Sequence, residues 1–348
     1  MMSLRTWRAI LCLSCPLLAL WIGCASTPSK VSDPSAELFP PGEMLVAPGT
    51  PDLENIHLPS VMVSASIVTE RGRLARKSCS GVIVHPRLVF TAGHCVCAAR
   101  TTKAEDRLTH FTGMEPTGPT RADRVVKHVV SRGSALEDVS LTSIIDAKSP
   151  CAETVTVTTV RYLSTPTGSS SRPEIRDHVG EVVIHPALEM ISGRRGQAQG
   201  VVWSHADLAA IFLKEPLEDT LPRLSLTETE VRVGQAVTMV GYGTGNDASP
   251  SFGVRHFGNN RVTQLIYLET GSTAFRTEEQ QLLDGEVASH AQGGDSGGAC
   301  VRSSNKHELI GITSIGAQKP TGERMSIFTS VYSHRGWLLQ MIKQADKS

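Results

Sequence analysis

Short runs rich in Val, Ile and Thr, separated by Gly, Pro, Ser and Asp, are the feature that most constrains the fold of this chain. Runs of this length bounded by turn residues predict the antiparallel strands of a β-barrel or sandwich. None of them alternates with a convincing helical pattern, which argues against a parallel α/β sheet. The predicted strands cover residues 61–69, 81–84, 89–91, 154–163, 181–184, 209–213, 237–242 and 308–314.

Residues 335–345 are the one segment with clear helical periodicity, and they predict an amphipathic helix that packs on the second half of the fold. Between the strands, the Gly, Pro and Ser content predicts loops. The segment 98–150 shows no clear period, so its structure is left open. The predicted loops cover residues 113–119, 164–173, 193–200 and 247–253.

The composition suits a large globular core and argues against nucleic acid as a partner. The chain has 348 residues, of which 40% are hydrophobic, with 34 Lys and Arg against 34 Asp and Glu. That hydrophobic fraction can fill one large core or two medium ones. Phosphate binding needs a concentrated cationic face, and the sequence has no long Lys/Arg block.

Residues 1–24 have the pattern of a secretory signal, with Arg5 and Arg8 before an apolar stretch over residues 9–22. The stretch is shorter than the roughly 20 residues that span a bilayer as a helix, although a retained membrane anchor is the alternative. Residues 22–24, Ile-Gly-Cys, resemble the end of a bacterial lipoprotein signal, in which the thiol of Cys24 is acylated. Ordinary cleavage near Cys24 is the other interpretation.

Residues 25–58 carry six prolines among Ser, Thr and Gly, with Pro59 directly after them, and predict an extended linker. Proline cannot donate a hydrogen bond to a helix or a sheet, and few residues here could bury apolar area. We therefore expect an exported protein, either secreted or tethered through Cys24 to the outer membrane or cell surface.

The remaining cysteines also agree with export. Cys79, Cys95, Cys97, Cys151 and Cys300 are odd in number, so at least one has no partner within the domain. An oxidising compartment would allow a Cys79–Cys95 disulfide and, as a second expectation, a Cys97–Cys151 disulfide. The competing interpretation is a metal site on two of these cysteines and the neighbouring histidine, but the spacing matches no tight tetrahedral pattern. We expect neither a metal nor a cofactor.

A glycine-rich turn and a histidine provide two residue types that nucleophilic catalysis uses. Residues 293–298 read Gly-Gly-Asp-Ser-Gly-Gly, and glycines let the main chain aim two N–H groups at one spot beside Ser296. Residues 91–95 read Thr-Ala-Gly-His-Cys and place His94 just after an apolar strand. An imidazole there can take the proton of a hydroxyl, because its pKa lies near neutrality. The rival histidines are His85, His185 and His205.

Asp207 precedes an apolar strand and should be buried. A buried carboxylate without a partner is costly, so Asp207 either caps a turn or holds the N–H of another residue. Holding one tautomer of His94 is such a role. The rival is Asp138, whose flanks lack a comparable apolar strand.

The order His, Asp, Ser with these flanks resembles the trypsin-like serine proteases of the chymotrypsin fold. Other short segments are similar to that family's strands and termini in the same order, and together they cover roughly residues 55–345. These segments are residues 78–83 (Ser-Cys-Ser-Gly-Val-Ile), 183–186 (Val-Ile-His-Pro), 240–243 (Val-Gly-Tyr-Gly), 311–316 (Gly-Ile-Thr-Ser-Ile-Gly), 328–332 (Phe-Thr-Ser-Val-Tyr) and 336–338 (Gly-Trp-Leu).

The resemblance implies an all-β protease domain over residues 59–348, made of two six-stranded antiparallel β-barrels and a C-terminal α-helix. The first barrel would span about 59–225, the second about 226–334, and the helix 335–345 would pack on the second barrel. Cleavage of a protein or peptide substrate by a monomeric serine endopeptidase is the implied activity, with the active site between the barrels.

Residue by residue, Ser296 would be the nucleophile, His94 the general base and then acid, and Asp207 the group that orients His94. The N–H groups of Gly294 and Ser296 would form the oxyanion hole. Ser314 and Gly316 would lie along the substrate.

The sequence departs from the family at the substrate pocket and at the start of the domain. The position six before Ser296 is His290, where a carboxylate would recognise Lys or Arg, and Gln292 replaces the family's Cys. Trypsin-like cleavage is therefore not predicted. Asp295 would pair with a freed N-terminus in zymogen members, but no Ile-Val-Gly-Gly-like start precedes Cys79.

Two other functions compete with proteolysis. A protease-shaped binding protein that has lost activity would use its surface loops, although such proteins usually lose His or Ser and this chain has both. An esterase would carry its nucleophile in Gly-x-Ser-x-Gly, but its partners would follow in the order Ser, Asp, His. No suitable Asp and His follow Ser296, which sets the esterase aside.

Overall fold

The computed structural model describes residue 46, residues 48–102, 129–164, 171–243, 254–282, residue 285, and residues 287–319 and 322–347. The predicted signal, Cys24 and most of the predicted linker lie outside these residues. Within them, no helix combines the length and the apolar character needed to cross a membrane.

The described residues are mostly β-strand. The helices are α1 (Gly93–Val96), α2 (Arg132–Ala135) and α3 (Arg335–Ala345). The strands are β1 (Thr50–Pro51), β2 (Ser60–Val68), β3 (Leu74–His85), β4 (Leu88–Thr91), β5 (Arg100–Thr101), β6 (Val129–Val130), β7 (Ser140–Asp146), β8 (Thr154–Ser164), β9 (Ser171–Ile184), β10 (Glu189–Arg195), β11 (Ala198–His205), β12 (Ala209–Leu213), β13 (Ser225–Leu226), β14 (Ala236–Gly241), β15 (His256–Leu268), β16 (Thr273–Glu278), β17 (Ala299–Arg302), β18 (Asn305–Gln318) and β19 (Arg324–Ser330).

Six antiparallel strands close the first barrel in the order β12-β4-β3-β2-β8-β9. Buried and more exposed residues alternate along β2. Its buried residues are Val61, Val63, Ala65 and Ile67, and the residues between them point mostly outward. A period of two places every second side chain on one face of a strand, so this face fills the barrel interior.

The second barrel has the order β15-β14-β17-β18-β19-β16 and is closed by pairing of β16 with β15. Phe275 and Phe328 stack in its core with ring centroids 4.9 Å apart. The prediction of an all-β fold with two six-stranded barrels and a C-terminal helix is confirmed.

The C-terminal helix packs on the first barrel, whereas the sequence predicted packing on the second. Helix α3 contacts β3 and β4, and the rings of Trp337 and Phe90 are 6.3 Å apart. Leu338 and Met341 are buried in the large apolar cluster that contains the interior of the first barrel. The helical period showed which face is apolar, but it could not show which barrel covers that face.

A four-stranded sheet, β11-β10-β7-β5, lies beside the barrels and was not predicted. Residues 193–200, predicted as a loop, belong to the hairpin of β10 and β11, and Gly196 has φ 60° at its turn. The sheet has its own apolar cluster, which includes Ile144, Ile191 and Trp203.

Residues 48–58, which we call the N-terminal strap, belong to the fold rather than to the predicted linker. Strand β1 pairs with β15, and the Asp52 side chain is fully buried. Both oxygens of Asp52 accept backbone N–H groups, from Ile56 and His57, at 2.8 Å. Proline is tolerated at Pro51 because β1 lies at the edge of its sheet.

Two disulfides join Cys79 to Cys95 and Cys97 to Cys151, as predicted from the sequence. The second bond joins the two ends of the segment 98–150. Cys300 is a buried free thiol in the second barrel.

Three histidines cluster between β9, β11 and α3. The ring centroid of His334 lies 5.1 Å from that of His185 and 5.9 Å from that of His205. Burial lowers the pKa of His185 and of His205 to about 4 and also lowers the pKa of His334. The folded protein therefore holds these imidazoles neutral.

Acid should destabilise the protein through this cluster. Between pH 6.5 and about 4 the unfolded chain binds protons that the folded chain does not, so this contribution is complete above pH 6.5 and is lost as pH falls. His185 and His205 should each account for roughly 3 kcal/mol over that window. We expect His185→Phe to reduce the pH dependence of the unfolding free energy, measured by urea unfolding at pH 4.5 and 7.5. An unchanged pH dependence of the unfolding free energy in this variant would contradict the role given to His185.

Candidate active site

Asp207 is buried at the base of the cleft and accepts three hydrogen bonds. His94 Nδ1 lies 2.7 Å from Asp207 Oδ2, and the backbone N–H of His94 donates to Oδ1 at 2.9 Å. Ser314 Oγ donates to Oδ2 at 2.6 Å. Burial alone would raise the pKa of Asp207, but the His94 imidazole and these hydrogen bonds hold it below its usual range.

His94 lies on α1, immediately after β4 of the first barrel. An ionised carboxylate only accepts hydrogen bonds, so the contact with Asp207 places the imidazole proton on Nδ1. The lone pair is then on Nε2, which is the arrangement that a general base needs. The two rival histidines His185 and His205 lie in the cluster with His334 instead, and His85 pairs with Asp346.

Ser296 lies in a tight turn against the first barrel. Its carbonyl oxygen accepts a hydrogen bond from Ser80 N at 2.8 Å and lies 3.5 Å from Cys95 Sγ. The next residue, Gly297, has φ 79°, and a Cβ there would lie 2.1 Å from Thr91 Oγ1. Among the described residues, no hydrogen bond joins Ser296 Oγ to His94 Nε2.

The turn around Ser296 contains two backbone N–H groups that are available to a substrate. Gly294 has φ 92°, a conformation that favours glycine, and its carbonyl accepts from Ser80 Oγ at 2.8 Å. Within the described part of the chain, neither Gly294 N nor Ser296 N donates to an acceptor. Two such donors beside a hydroxyl can stabilise an oxyanion.

Asp295 is buried behind this turn and contacts backbone rather than a cation. Its Oδ1 accepts from Gly243 N at 2.8 Å and its Oδ2 from Gln292 N at 3.0 Å. Gly241 and Gly243 leave room for the carboxylate, since a Cβ on Gly241 would lie 2.2 Å from Oδ1. Burial raises the pKa of Asp295 to about 7, against the pull of the two N–H groups.

Little space remains between the described residues where the family resemblance places the substrate pocket. His290 is buried, and its Nε2 accepts from Gln292 Nε2 and from Arg324 Nη1, both at 3.0 Å. A Cβ on Gly316 would lie 2.7 Å from Ala291 O, so the two walls almost touch. No sequence motif indicated a role for Arg324.

Cys79, His94 and Cys95 lie close enough together to suggest a metal site. Both cysteines are in one disulfide, so neither offers a thiolate, and a single imidazole remains. This cluster does not fit a metal.

Two closed six-stranded barrels with these side chains between them form a chymotrypsin fold. The trypsin family model matches residues 55–181 and 191–338, and the chain therefore belongs to the trypsin family. Among curated proteins, none matches the chain in sequence.

Solved structures that resemble the chain include an inactivated protease paralogue of the scabies mite, at 19% identity and a TM-score of 0.46. Neuropsin, a serine protease expressed in the limbic system of mouse brain, has 15% identity and the same TM-score. Each match covers 85% of this chain and 99% of the other.

The buried carboxyl of Asp295 should make the stability of the turn depend on pH. The folded chain keeps this proton up to about pH 7, whereas the unfolded chain releases it near pH 4, so the contribution falls as pH rises between them. Asp295→Asn should remove that loss. The unfolding free energy of the variant minus that of the parent should therefore rise by roughly 4 kcal/mol from pH 4 to pH 8. The exposed Asp219→Asn is the control, and equal pH profiles for both variants would refute the prediction.

Proposed function

We propose that this chain is an exported serine endopeptidase that hydrolyses peptide bonds of protein or peptide substrates through an acyl-enzyme. The hydrogen-bonded pair of Asp207 and His94 carries the proposal, because it fixes the tautomer that a general base requires. The glycine turn with Ser296 and the available N–H of Gly294 support it.

In the proposed reaction, Ser296 Oγ attacks the substrate carbonyl carbon while His94 Nε2 takes the hydroxyl proton. The N–H groups of Gly294 and Ser296 donate to the oxyanion that forms. The C–N bond then breaks, and His94 returns the proton to the leaving amine. Water, deprotonated by His94, cleaves the ester and restores Ser296.

Asp207 would stabilise the imidazolium throughout, and Ser314 would hold Asp207 in place through its hydrogen bond. No metal or cofactor enters this scheme. The substrate would run beside Ser314 and Gly316, with His290 behind the pocket wall.

Export is proposed from the signal pattern over residues 1–24 and is supported by the two disulfides. Acylation of Cys24 would hold the domain at a membrane surface through the prolines that follow. Cleavage near Cys24 without acylation would release it. We propose that the domain acts as a monomer.

A catalytically silent binding module is the second candidate, and the contact between the pocket walls favours it. The Gly316 position lies against Ala291, and the described residues show no Ser296 to His94 hydrogen bond. Hydrogen bonds of unliganded active sites are often long, however, so this geometry alone does not exclude a nucleophile.

Labelling with a fluorophosphonate probe distinguishes the two functions. We expect covalent labelling of the exported protein and at least a hundredfold slower labelling of Ser296→Ala, because Ser296 Oγ is the nucleophile in the proposed reaction. Intact-mass spectrometry would measure the added phosphonyl group.

Ser64→Ala, which changes an exposed hydroxyl on β2, is the matched control and should label like the parent. A folded parent that stays unlabelled before and after limited proteolysis would favour the binding module.

A further inference from the structure

The N-terminal strap is held by an ion pair that is sealed from solvent. Arg255 Nε lies 2.6 Å from Asp52 Oδ2, and both side chains have no exposed surface. Removing either partner would leave a buried charge without compensation. Asp52 is therefore a fixed anchor for Arg255, which precedes β15.

Arg255 uses its other nitrogens to connect the two barrels. Nη1 donates to Tyr242 Oη at 2.9 Å and to the carbonyl of Val160, in β8, at 2.9 Å. Tyr242 Oη in turn donates to Ser60 O at 3.1 Å. Arginine has only donors, so Tyr242 must accept from it and direct its own proton to Ser60.

Tyr242 and the residue after it reach the nucleophile turn directly. Tyr242 N donates to Ser80 Oγ at 2.8 Å, and the same Ser80 hydroxyl donates to Gly294 O at 2.8 Å. Gly243 N donates to Asp295 Oδ1. These two consecutive N–H groups thus hold the turn between the proposed oxyanion donors, one through Ser80 at the Gly294 carbonyl and the other at the Asp295 side chain.

The strap also contacts the loop that precedes the turn. Ser289 Oγ donates to Pro48 O at 2.5 Å, one residue before His290. The Ser289 carbonyl accepts from Asn260 Nδ2 at 2.7 Å, which fixes this segment on β15. The strap therefore contacts the loop that leads into Ser296 as well as the support behind it.

We propose that Asp52 and Arg255 are positioning residues for the nucleophile turn, and that the strap holds this turn in its working conformation in the uncut chain. The inference rests on the proposed function. Asp295 accepts two backbone N–H groups, and among the described residues no cationic side chain pairs with it. A freed N-terminus is then not needed to order the turn.

The test compares variants of the full exported chain by the second-order rate constant of fluorophosphonate labelling. Asp52→Asn should label at least tenfold more slowly than the parent. Because this change could destabilise the fold, the double variant Asp52→Leu with Arg255→Met removes both charges together. Removing both charges avoids the uncompensated buried charge of the single variant. The Ile56 and His57 N–H groups lose their Asp52 acceptor, so labelling rates are compared below the melting temperature of each variant, where the protein is folded.

A purely structural role predicts that labelling recovers together with stability in the double variant. A positioning role predicts that labelling stays at least tenfold slow, because Tyr242 has lost its donor. Asp146→Leu with Arg100→Met, at another largely buried ion pair in the four-stranded sheet, is the control and should label at the parental rate.

Each outcome is decisive. Parental labelling rates in the double variant would overturn the inference while leaving the proposed function intact. Labelling that appears only after the chain is cut between residues 46 and 78, as read by intact mass, would also overturn it. A folded parent that never labels would overturn the proposed function, and the inference with it.

Discussion

The buried carboxylate of Asp207 is the constraint on which the arrangement of the two barrels depends. An ionised group with no solvent contact is tolerated only when its oxygens are fully hydrogen-bonded. Its donors come from opposite sides of the cleft, since His94 follows β4 of the first barrel and Ser314 lies on β18 of the second. Any separation of the barrels would strip Asp207 of a donor, so the same contacts that orient His94 also hold the cleft together.

A second set of buried polar groups lies behind the nucleophile turn and restrains the conformation of that turn. The turn has positive φ at Gly294 and Gly297, which glycine adopts readily, but glycine also allows other conformations, so contacts from outside must select this one. Backbone N–H groups, the Ser80 hydroxyl and the Arg255 guanidinium supply that restraint. The strap is part of this support, which explains why a short N-terminal segment contains a fully buried carboxylate.

Local patterns predicted the strands of the first barrel, at least in part, and β14 and β18 of the second, because runs of Val, Ile and Thr between turn residues depend only on neighbouring residues. Short motifs indicated the residues that meet at the cleft. The four-stranded sheet was missed because glycines in residues 193–200 indicate a loop locally, whereas pairing of β10 with β7 is a long-range contact. The strap was missed for a related reason. Prolines lower strand propensity, but Pro51 occupies an edge, where a missing N–H costs little. The partner of α3 could not be predicted, since both barrels offer apolar surface.

The narrow pocket wall contains buried polar atoms, and these cost stability. His290 Nδ1 and Gln292 Oε1 are buried without a hydrogen-bond partner among the described residues. An unsatisfied buried donor or acceptor costs about 1–3 kcal/mol. The Arg324 contact fixes His290 Nε2 as the acceptor, so its Nδ1 carries the proton and is a donor. One buried donor and one buried acceptor are thus unpaired beside the contact of Ala291 with Gly316, and their cost opposes the packing of this wall.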